Sequence, residues 1–282
     1  MNSMTQNRDE SIRLLLARLD DLCAKGGRGE MGISPFLTPR EAKYAARHLA
    51  ARIAAGTALL YGGYPDAERV RAVILPDYAE GLADRDRLTA DPVAALREAG
   101  LEELADSLRS GALPLLIRGS GFRELNHRDY LGSVLGLGLE RSALGDLVVA
   151  DAHHAYLYTS ASMGDFLVTQ LVKVATDTVK TLYPPADSVP TLARRLQPIS
   201  DTVASERLDC VVAALCNLSR EKAQTAIRSG LVELDYELTE ACDAAVEPPA
   251  VLSVRGFGKY AVHRFDGETR KGRIRLVAGK YI

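Results

Sequence analysis

The chain has 282 residues, of which 47% are hydrophobic and 26% charged, and its net charge is −2. This length predicts two or three domains, and the near-neutral charge does not by itself indicate a polyanion as partner. No run of about 18 apolar residues and no basic region followed by an apolar one is present, so we expect neither a membrane span nor a signal peptide. The four cysteines lack Cys-x-x-Cys spacing, which favours a reduced, cytoplasmic protein without a metal or a cofactor.

Residues 1–77 are interpreted as a mostly helical N-terminal domain. Thr38 has the properties of a helix N-cap, with Pro39 at the first helical position and Glu41 in the capping-box position. Apolar spacing and breaker residues predict two helices and a short strand, at 11–23, 39–55 and 71–75.

Residues 78–183 are expected to form a middle domain. Asn126 and Ser162 are the predicted N-caps of its two helices. The predicted elements alternate as β-α-β-β-α-β, at 113–118, 127–137, 147–150, 155–158, 162–176 and 179–182. This order is typical of ferredoxin-like and RRM-like domains. Tyr156 and Tyr158 share one strand face, and this face could contact either RNA or a helix of the core. If the tyrosines pack against a helix, the domain is expected to be a spacer or to contact another protein.

A proline-rich linker at 184–190 precedes the last predicted domain, 191–282. Two amphipathic helices are expected at 206–216 and 220–229, with Gly230 ending the second. Strands are expected at 231–234, 251–254 and 259–264. The chain is therefore predicted to be a multidomain α+β protein.

The last domain resembles the S4 RNA-binding domain over about 50 residues. The matching residues are Arg207-Leu208-Asp209, Ser219-Arg220, Ala223, Ile227, Gly230, Val232 and Leu252-Ser253-Val254-Arg255-Gly256. Asp235-Tyr236 and Pro248-Pro249 stand where the family often has Asn-Gly and Gly-Asp.

Arg207 and Arg220 lie at two predicted helix N-termini, where backbone N–H groups and the helix dipole favour phosphate. From Ser253 to Ile282 eight basic and two acidic residues give +6, so the other 252 residues carry −8. We expect the helix ends and this basic segment to form one surface for a polyphosphate. The candidate RNA-binding residues are Arg207, Arg220, Lys222, Gln224, Arg228, Arg255, Lys259, Arg264, Lys271, Arg273 and Arg275.

The wider chain resembles the YlmH-type S4 proteins of bacteria and plastids. The matching segments are Phe36-Leu37-Thr38-Pro39-Arg40-Glu41, Gly62-Gly63-Tyr64-Pro65, Ala67-Glu68-Arg69, His127-Arg128-Asp129-Tyr130-Leu131-Gly132, Leu135-Gly136-Leu137-Gly138 and Lys271-Gly272-Arg273-Ile274-Arg275-Leu276. The resemblance implies an N-terminal domain, an RRM-like middle domain and a C-terminal S4 domain. It also implies binding to rRNA and tRNA on obstructed large ribosomal subunits that carry peptidyl-tRNA, in ribosome-associated quality control with tailing of the stalled peptide. A monomer that acts on no membrane and no small-molecule substrate is expected.

Several segments are similar to motifs of enzymes or metal sites. His127-Arg128-Asp129 is similar to a kinase catalytic loop, but Val134 stands where that loop needs a metal-binding Asn. His153 and His154 lack acidic or Cys partners at ligand spacing, so they do not indicate a metal site. The open alternative is an RNA-modifying enzyme guided by an S4 domain, of the pseudouridine synthase or rRNA methyltransferase type. A third class, a protein-interaction scaffold, would bind its partner with little dependence on salt. The sequence favours a non-catalytic RNA-binding protein.

Overall fold

A computed structural model describes the backbone of residues 3–9 and all atoms of residues 10–185, 189, 196–270 and 272–281. The chain divides into two compact units, Met1–Leu192 and Ala193–Ile282. The predicted linker lies mostly outside the described residues. None of the helices within the described part has the length and apolar composition needed to cross a membrane.

The first third of the chain combines helices with a small sheet. Its elements are α1 (Ser3–Gly26), β1 (Gly32–Ile33), α2 (Pro39–His48), α3 (Ala50–Ala55), β2 (Ala58–Tyr61) and β3 (Arg71–Ile74). The predicted cap is confirmed, since the Thr38 side chain accepts from the Glu41 amide at 3.3 Å and the Glu41 carboxylate accepts from the Thr38 amide at 2.7 Å. The predicted single helix 39–55 is wrong in one respect. Leu49, buried in the core, leaves helical geometry and separates α2 from α3.

Three short helices follow and pack against this sheet. They are α4 (Arg85–Ala90), α5 (Pro92–Glu98) and α6 (Glu102–Gly111). Leu96 and Leu108 are fully buried in a core that also includes Leu59 and Val73 of the sheet. Burying each such leucine contributes about 1.5–3 kcal/mol. The three helices thus share a core with β2 and β3, and the division of residues 1–183 at 77/78 stays a prediction.

A five-stranded antiparallel sheet forms the rest of the first unit. Its elements are β4 (Leu113–Gly119), α7 (His127–Leu135), β5 (Leu144–Val149), β6 (His154–Thr159), α8 (Ala161–Gln170), β7 (Lys173–Val174) and β8 (Asp177–Leu182). The strand order is β5-β6-β4-β8-β7. Leu115, Ile117 and Leu157 pack on one face with α7 and α8 around Tyr130 and Leu167.

The predicted order of four strands and two helices is present, with two corrections to the helices. Asn126 caps α7 as predicted, and Asp129 completes a capping box. The second helix begins after Ser160 instead of Ser162, and it ends at Gln170. The following residues instead form β7 and a turn in which Ala175 has a φ of 51°, a conformation that a helix does not allow. Val174 of β7 is fully buried in the core of this sheet.

The second unit is a six-stranded antiparallel sheet with two helices on one face. Its elements are β9 (Leu196–Val203), α9 (Leu208–Leu215), α10 (Arg220–Arg228), β10 (Val232–Leu234), β11 (Glu237–Leu238), β12 (Ala250–Val254), β13 (Gly258–Glu268) and β14 (Ile274–Tyr281). The strand order is β11-β10-β12-β13-β14-β9. The helices pack on the sheet through a core that includes Leu208, Val212 and Ile227. The two helices and the β12–β13 hairpin are confirmed, whereas β9 and β14 were not predicted from the sequence.

The hairpin between β10 and β11 forms without glycine. Asp235 and Tyr236 both adopt the left-handed conformation, with φ of 49° and 68°. A two-residue turn of this kind matches the twist of the paired strands. The Asp235 carboxylate also accepts a hydrogen bond from the Val251 amide at 2.8 Å. Asp235-Tyr236 therefore forms this turn without the Asn-Gly pair that the resemblance had led us to expect.

Candidate RNA interface

Three predicted RNA-binding side chains converge on one carboxylate, that of Asp209. Arg207 is the N-cap of α9, and its Nε and Nη2 donate to the two Asp209 oxygens at 3.2 and 3.3 Å. Arg220, the first residue of α10, donates from Nε at 3.1 Å. Gln224, one turn further along α10, donates from Nε2 at 2.7 Å. Asp209 thus holds side chains from both helices in a fixed arrangement.

The electrostatics of this group keep Asp209 ionised. Burial alone would raise the pKa of Asp209, but hydrogen bonds from Arg207, Gln224 and Arg220 outweigh it and hold the pKa well below its usual range. The same contact raises the pKa of Arg207. Asp209 has no exposed surface. Two guanidinium groups and one buried carboxylate carry a net charge of +1, and the Asp243 carboxylate also lies close enough to raise the pKa of Arg207.

The arginines keep donors available for a ligand. The side chains of Arg207 and Arg220 are 42% and 56% exposed. Arg220 bonds to Asp209 through Nε, and its two Nη groups make no hydrogen bond within the described structure. Lys222 and Arg228 are exposed on the same helix. Ser219 caps α10 by accepting from the Lys222 amide at 3.3 Å, which fixes the helix end beside Arg220. Forked donors at an ordered helix end suit phosphate oxygens.

The predicted residues on the strands lie on the other face of the sheet. Lys259, Arg264 and Arg275 are next in sequence to residues of the core beneath the helices, such as Tyr260 and Leu276. Because neighbouring strand residues point to opposite faces, these three cations point away from α9 and α10. The expected single surface is therefore not formed; the helix residues and the strand residues are two separate groups.

Several of the strand cations are also engaged within the protein. Lys259 Nζ lies 5.0 Å from the Tyr236 ring and 4.9 Å from the Tyr281 ring. Arg264 pairs with Asp266 at 2.8 Å. Arg273 donates to the hydroxyl and the carbonyl of Thr202. The Arg264–Asp266 pair lies within β13, whereas the contacts of Lys259 and Arg273 reach neighbouring parts of the sheet. All of them reduce what these side chains can offer a ligand.

Two of the remaining predicted residues have exposed side chains. Arg255 is exposed in the turn after β12, and its amide donates to the Leu231 carbonyl at 2.9 Å. Arg275 is exposed on β14. Lys271 lies outside the described residues. Asp209 was not among the predicted residues, although its spacing from Arg207 and its position inside an apolar helix face are visible in the sequence.

Tyr156 and Tyr158 are buried on the sheet face opposite the helices. The Tyr158 ring lies 4.7 Å from that of Tyr64, in the segment before β3. A Cβ on Gly63 would come within 2.5 Å of the Tyr158 ring, so this close approach requires glycine. Tyr158 therefore packs against the segment before β3, and because both tyrosines are buried, neither ring can stack on bases in this arrangement.

A buried arginine and an aspartate hold that segment in place. Arg69 donates to the carbonyls of Leu144, Phe36 and Arg141 at 2.8, 3.2 and 2.9 Å. Asp146 accepts from the Arg69 amide at 3.0 Å. Burial lowers the pKa of Arg69 to about 10, with Arg141 adding to the decrease and Asp146 opposing it. We call these contacts the Arg69 clamp.

Comparisons with known proteins agree with an RNA-binding interpretation. Residues 116–185 match a family model described as "Putative RNA-binding domain in YlmH". The chain is 30% identical over 246 residues to "Ribosome-associated protein quality control protein P2" of Bacillus subtilis (strain 168), which covers 87% of this chain and 86% of that protein. A solved structure, "Cell division protein ylmH from Streptococcus pneumoniae", has 15% identity and a TM-score of 0.42, over 67% of this chain and 96% of that one. The Bacillus relative matches most of both chains, and the protein therefore belongs to the YlmH family.

Proposed function

We propose that this protein is a non-catalytic RNA-binding factor that docks on structured rRNA and tRNA. Its site of action is the large ribosomal subunit that carries peptidyl-tRNA, in ribosome-associated quality control in the cytoplasm. The observation that carries the proposal is the arrangement of Arg207 and Arg220 around buried Asp209. The name of the Bacillus relative supports the ribosomal setting.

The topology supports the proposed domain types. The order β5-β6-β4-β8, with α7 and α8 on one face, corresponds to the split βαβ arrangement of RRM-like domains. In the second unit, the residues that resemble an S4 domain form α9, α10 and the strands they pack on. We infer an RRM-like middle domain and an S4-type C-terminal domain, in a protein that acts as a monomer.

Docking would use charge and shape more than base identity. The free Nη groups of Arg220 and the exposed donors of Arg207 would bind phosphate oxygens of an RNA helix. Lys222 would add a compact positive charge on α10, and Arg228 would add a second forked donor. One N–H of the Gln224 amide is committed to Asp209, so its second N–H and its carbonyl oxygen are left for a ribose hydroxyl.

Co-sedimentation of the full chain with large ribosomal subunits tests the proposal. Subunits with and without peptidyl-tRNA would be compared at about 50 mM and about 200 mM salt. We expect preference for the occupied subunits. We also expect affinity to fall about 100-fold at the higher salt, as about four phosphate contacts predict. Arg207→Ala with Arg220→Ala should abolish co-sedimentation, and Arg13→Ala with Arg18→Ala, on the exposed face of α1, is the matched control.

Several outcomes would contradict parts of the proposal. A folded Arg207→Ala, Arg220→Ala variant that sediments with subunits as wild type does would remove the assigned site. Binding insensitive to salt would favour a protein-interaction scaffold. Appearance of a methylated or isomerised nucleoside in the RNA after incubation would favour the modifying-enzyme alternative.

A further inference from the structure

One end of the five-stranded sheet carries a row of cations on the face opposite the helices. Arg118 on β4 is paired directly with His154 of β6 on one side and with Lys180 of β8 on the other. Lys173 of β7 is paired with Thr178, two residues from Lys180. Arg118, Lys180 and Lys173 are exposed. The other end of this face is the one covered by the Arg69 clamp, so the sheet has a covered end and an open end.

These cations have no partner within the described residues. Arg118, Lys180 and Lys173 make no ion pair or side-chain hydrogen bond there. Like charges directly opposite each other on neighbouring strands destabilise a sheet. An external anion would relieve the repulsion between Arg118 and Lys180.

The carboxylates of Asp151 and Asp177, which lie at this end of the sheet, already accept hydrogen bonds within the protein. Asp151 accepts from the amides of His153 and His154 at 2.8 and 2.9 Å and contacts the His154 ring. Asp177 accepts from the amide and hydroxyl of Ser120. Neither carboxylate pairs with Arg118 or Lys180, which leaves the cations for a ligand.

An exposed aromatic side chain lies in the loop at the same end of the sheet. Phe122, four residues after Arg118, is 97% exposed. Its loop is nevertheless fixed on both sides, since Ser120 bonds to Asp177 and Arg123 Nη1 donates to the Thr176 hydroxyl at 2.7 Å. A fully exposed aromatic ring on an anchored loop beside unpaired cations is the combination that single-stranded nucleic acid requires, a stacking surface next to phosphate donors.

We propose that the open end of this sheet is a second RNA site, one that takes a single-stranded segment. Arg118, Lys180 and Lys173 bind its phosphates, and a base stacks on Phe122. The inference rests on the proposed RNA-binding function and locates a contact within residues 116–185, which match the RNA-binding family model. It differs from the usual strand-face stacking of RRM domains, because Tyr156 and Tyr158 are buried here.

The test is fluorescence anisotropy of the full chain with a labelled twelve-nucleotide oligouridine. Phe122→Ala should weaken binding about tenfold with an unchanged salt slope, because one stacked base is lost. Phe122→Trp should restore it. Arg118→Glu with Lys180→Glu should weaken binding more than tenfold and reduce the salt slope by about 1.4, for two phosphates at about 0.7 each. Tyr78→Ala, which removes a ring that is 58% exposed, and Arg13→Glu with Arg18→Glu are the controls and should bind as wild type.

Co-sedimentation with large subunits, run in parallel, separates failure of this inference from failure of the proposed function. If wild type binds subunits in a salt-dependent way but both site variants bind oligouridine normally, the second site is wrong and RNA docking by α9 and α10 stands. If wild type binds neither subunits nor oligouridine, the proposed function itself fails. If the variants lose subunit binding but keep oligouridine binding, the surface contacts a ribosomal protein and the RNA assignment is overturned.

Discussion

Arginine has different roles in the Arg69 clamp and at the start of α9 and α10. Arg69 is only 8% exposed and gives its donors to three backbone carbonyls. Arg207 and Arg220 are about half exposed and share one carboxylate. The first arrangement commits Nε and Nη2 of a buried guanidinium to backbone carbonyls, and the second orients two guanidiniums that are about half exposed. Both arginine types belong to segments that resemble the family, so the resemblance alone does not separate a structural arginine from a binding one.

The largest loss of stability is expected when the buried arginine, Arg69, is replaced. Arg69→Met leaves the carbonyls of Leu144, Phe36 and Arg141 without this donor. We expect a loss of about 3 kcal/mol in the free energy of unfolding of the first unit, measured by urea denaturation of the full chain. Arg13→Met, at an exposed position on α1, is the control and should change it by less than about 0.5 kcal/mol. Equal effects of the two substitutions would contradict the structural role of Arg69.

A smaller loss of stability should follow from Asp209→Ala. The substitution removes the shared acceptor, but the half-exposed arginines can be hydrated, so we expect about 2 kcal/mol. RNA binding should also weaken, because Arg207 and Arg220 lose their fixed orientation. Urea denaturation and subunit co-sedimentation measure the two effects, with exposed Glu240→Ala as control. Unchanged RNA binding would show that Asp209 does not position the arginines.

The same carboxylate should make stability depend on pH. The folded-state pKa of Asp209 is held well below the unfolded value of about 3.9, so the unfolded state takes up the proton first. The stabilisation is complete above about pH 5 and is lost as pH falls through about 4 towards the folded pKa. Asp209→Asn should flatten this part of a stability curve measured by urea denaturation. If the stability of the variant fell with pH as steeply as that of wild type, Asp209 would not be the source of the pH dependence.

The smallest change in stability and in RNA affinity is expected when Arg228, an exposed residue of α10, is replaced. Arg228 has no ion pair or side-chain hydrogen bond within the described residues, so Arg228→Ala should leave the unfolding free energy nearly unchanged. Affinity for large subunits should fall a few-fold, and the salt slope should fall by about 1 if Arg228 contacts one phosphate. Binding titrations at several salt concentrations measure the affinity and the salt slope. An unchanged slope would place Arg228 outside the interface.

Local structure was more predictable from the sequence than the interface was. Thr38 and Asn126 were correctly identified as helix caps, because a cap is decided by a few neighbouring side chains. Strand β14 was not predicted, although Ile274, Leu276 and Ala278 alternate with more exposed residues. The interspersed arginines obscured that period and led to the expectation of one cationic surface.

By itself, the sequence determined the order of helices and strands in the middle region, the α9–α10 pair and the family resemblance. These depend on apolar periodicity, caps and turn residues within a few positions of each other. Only the tertiary structure decided where the donors and aromatic rings are used. Tyr158 meets Tyr64, 94 positions away, and Asp209 gathers Arg220 and Gln224 from the next helix. Such partners are selected by the packing of distant segments, which no local pattern specifies.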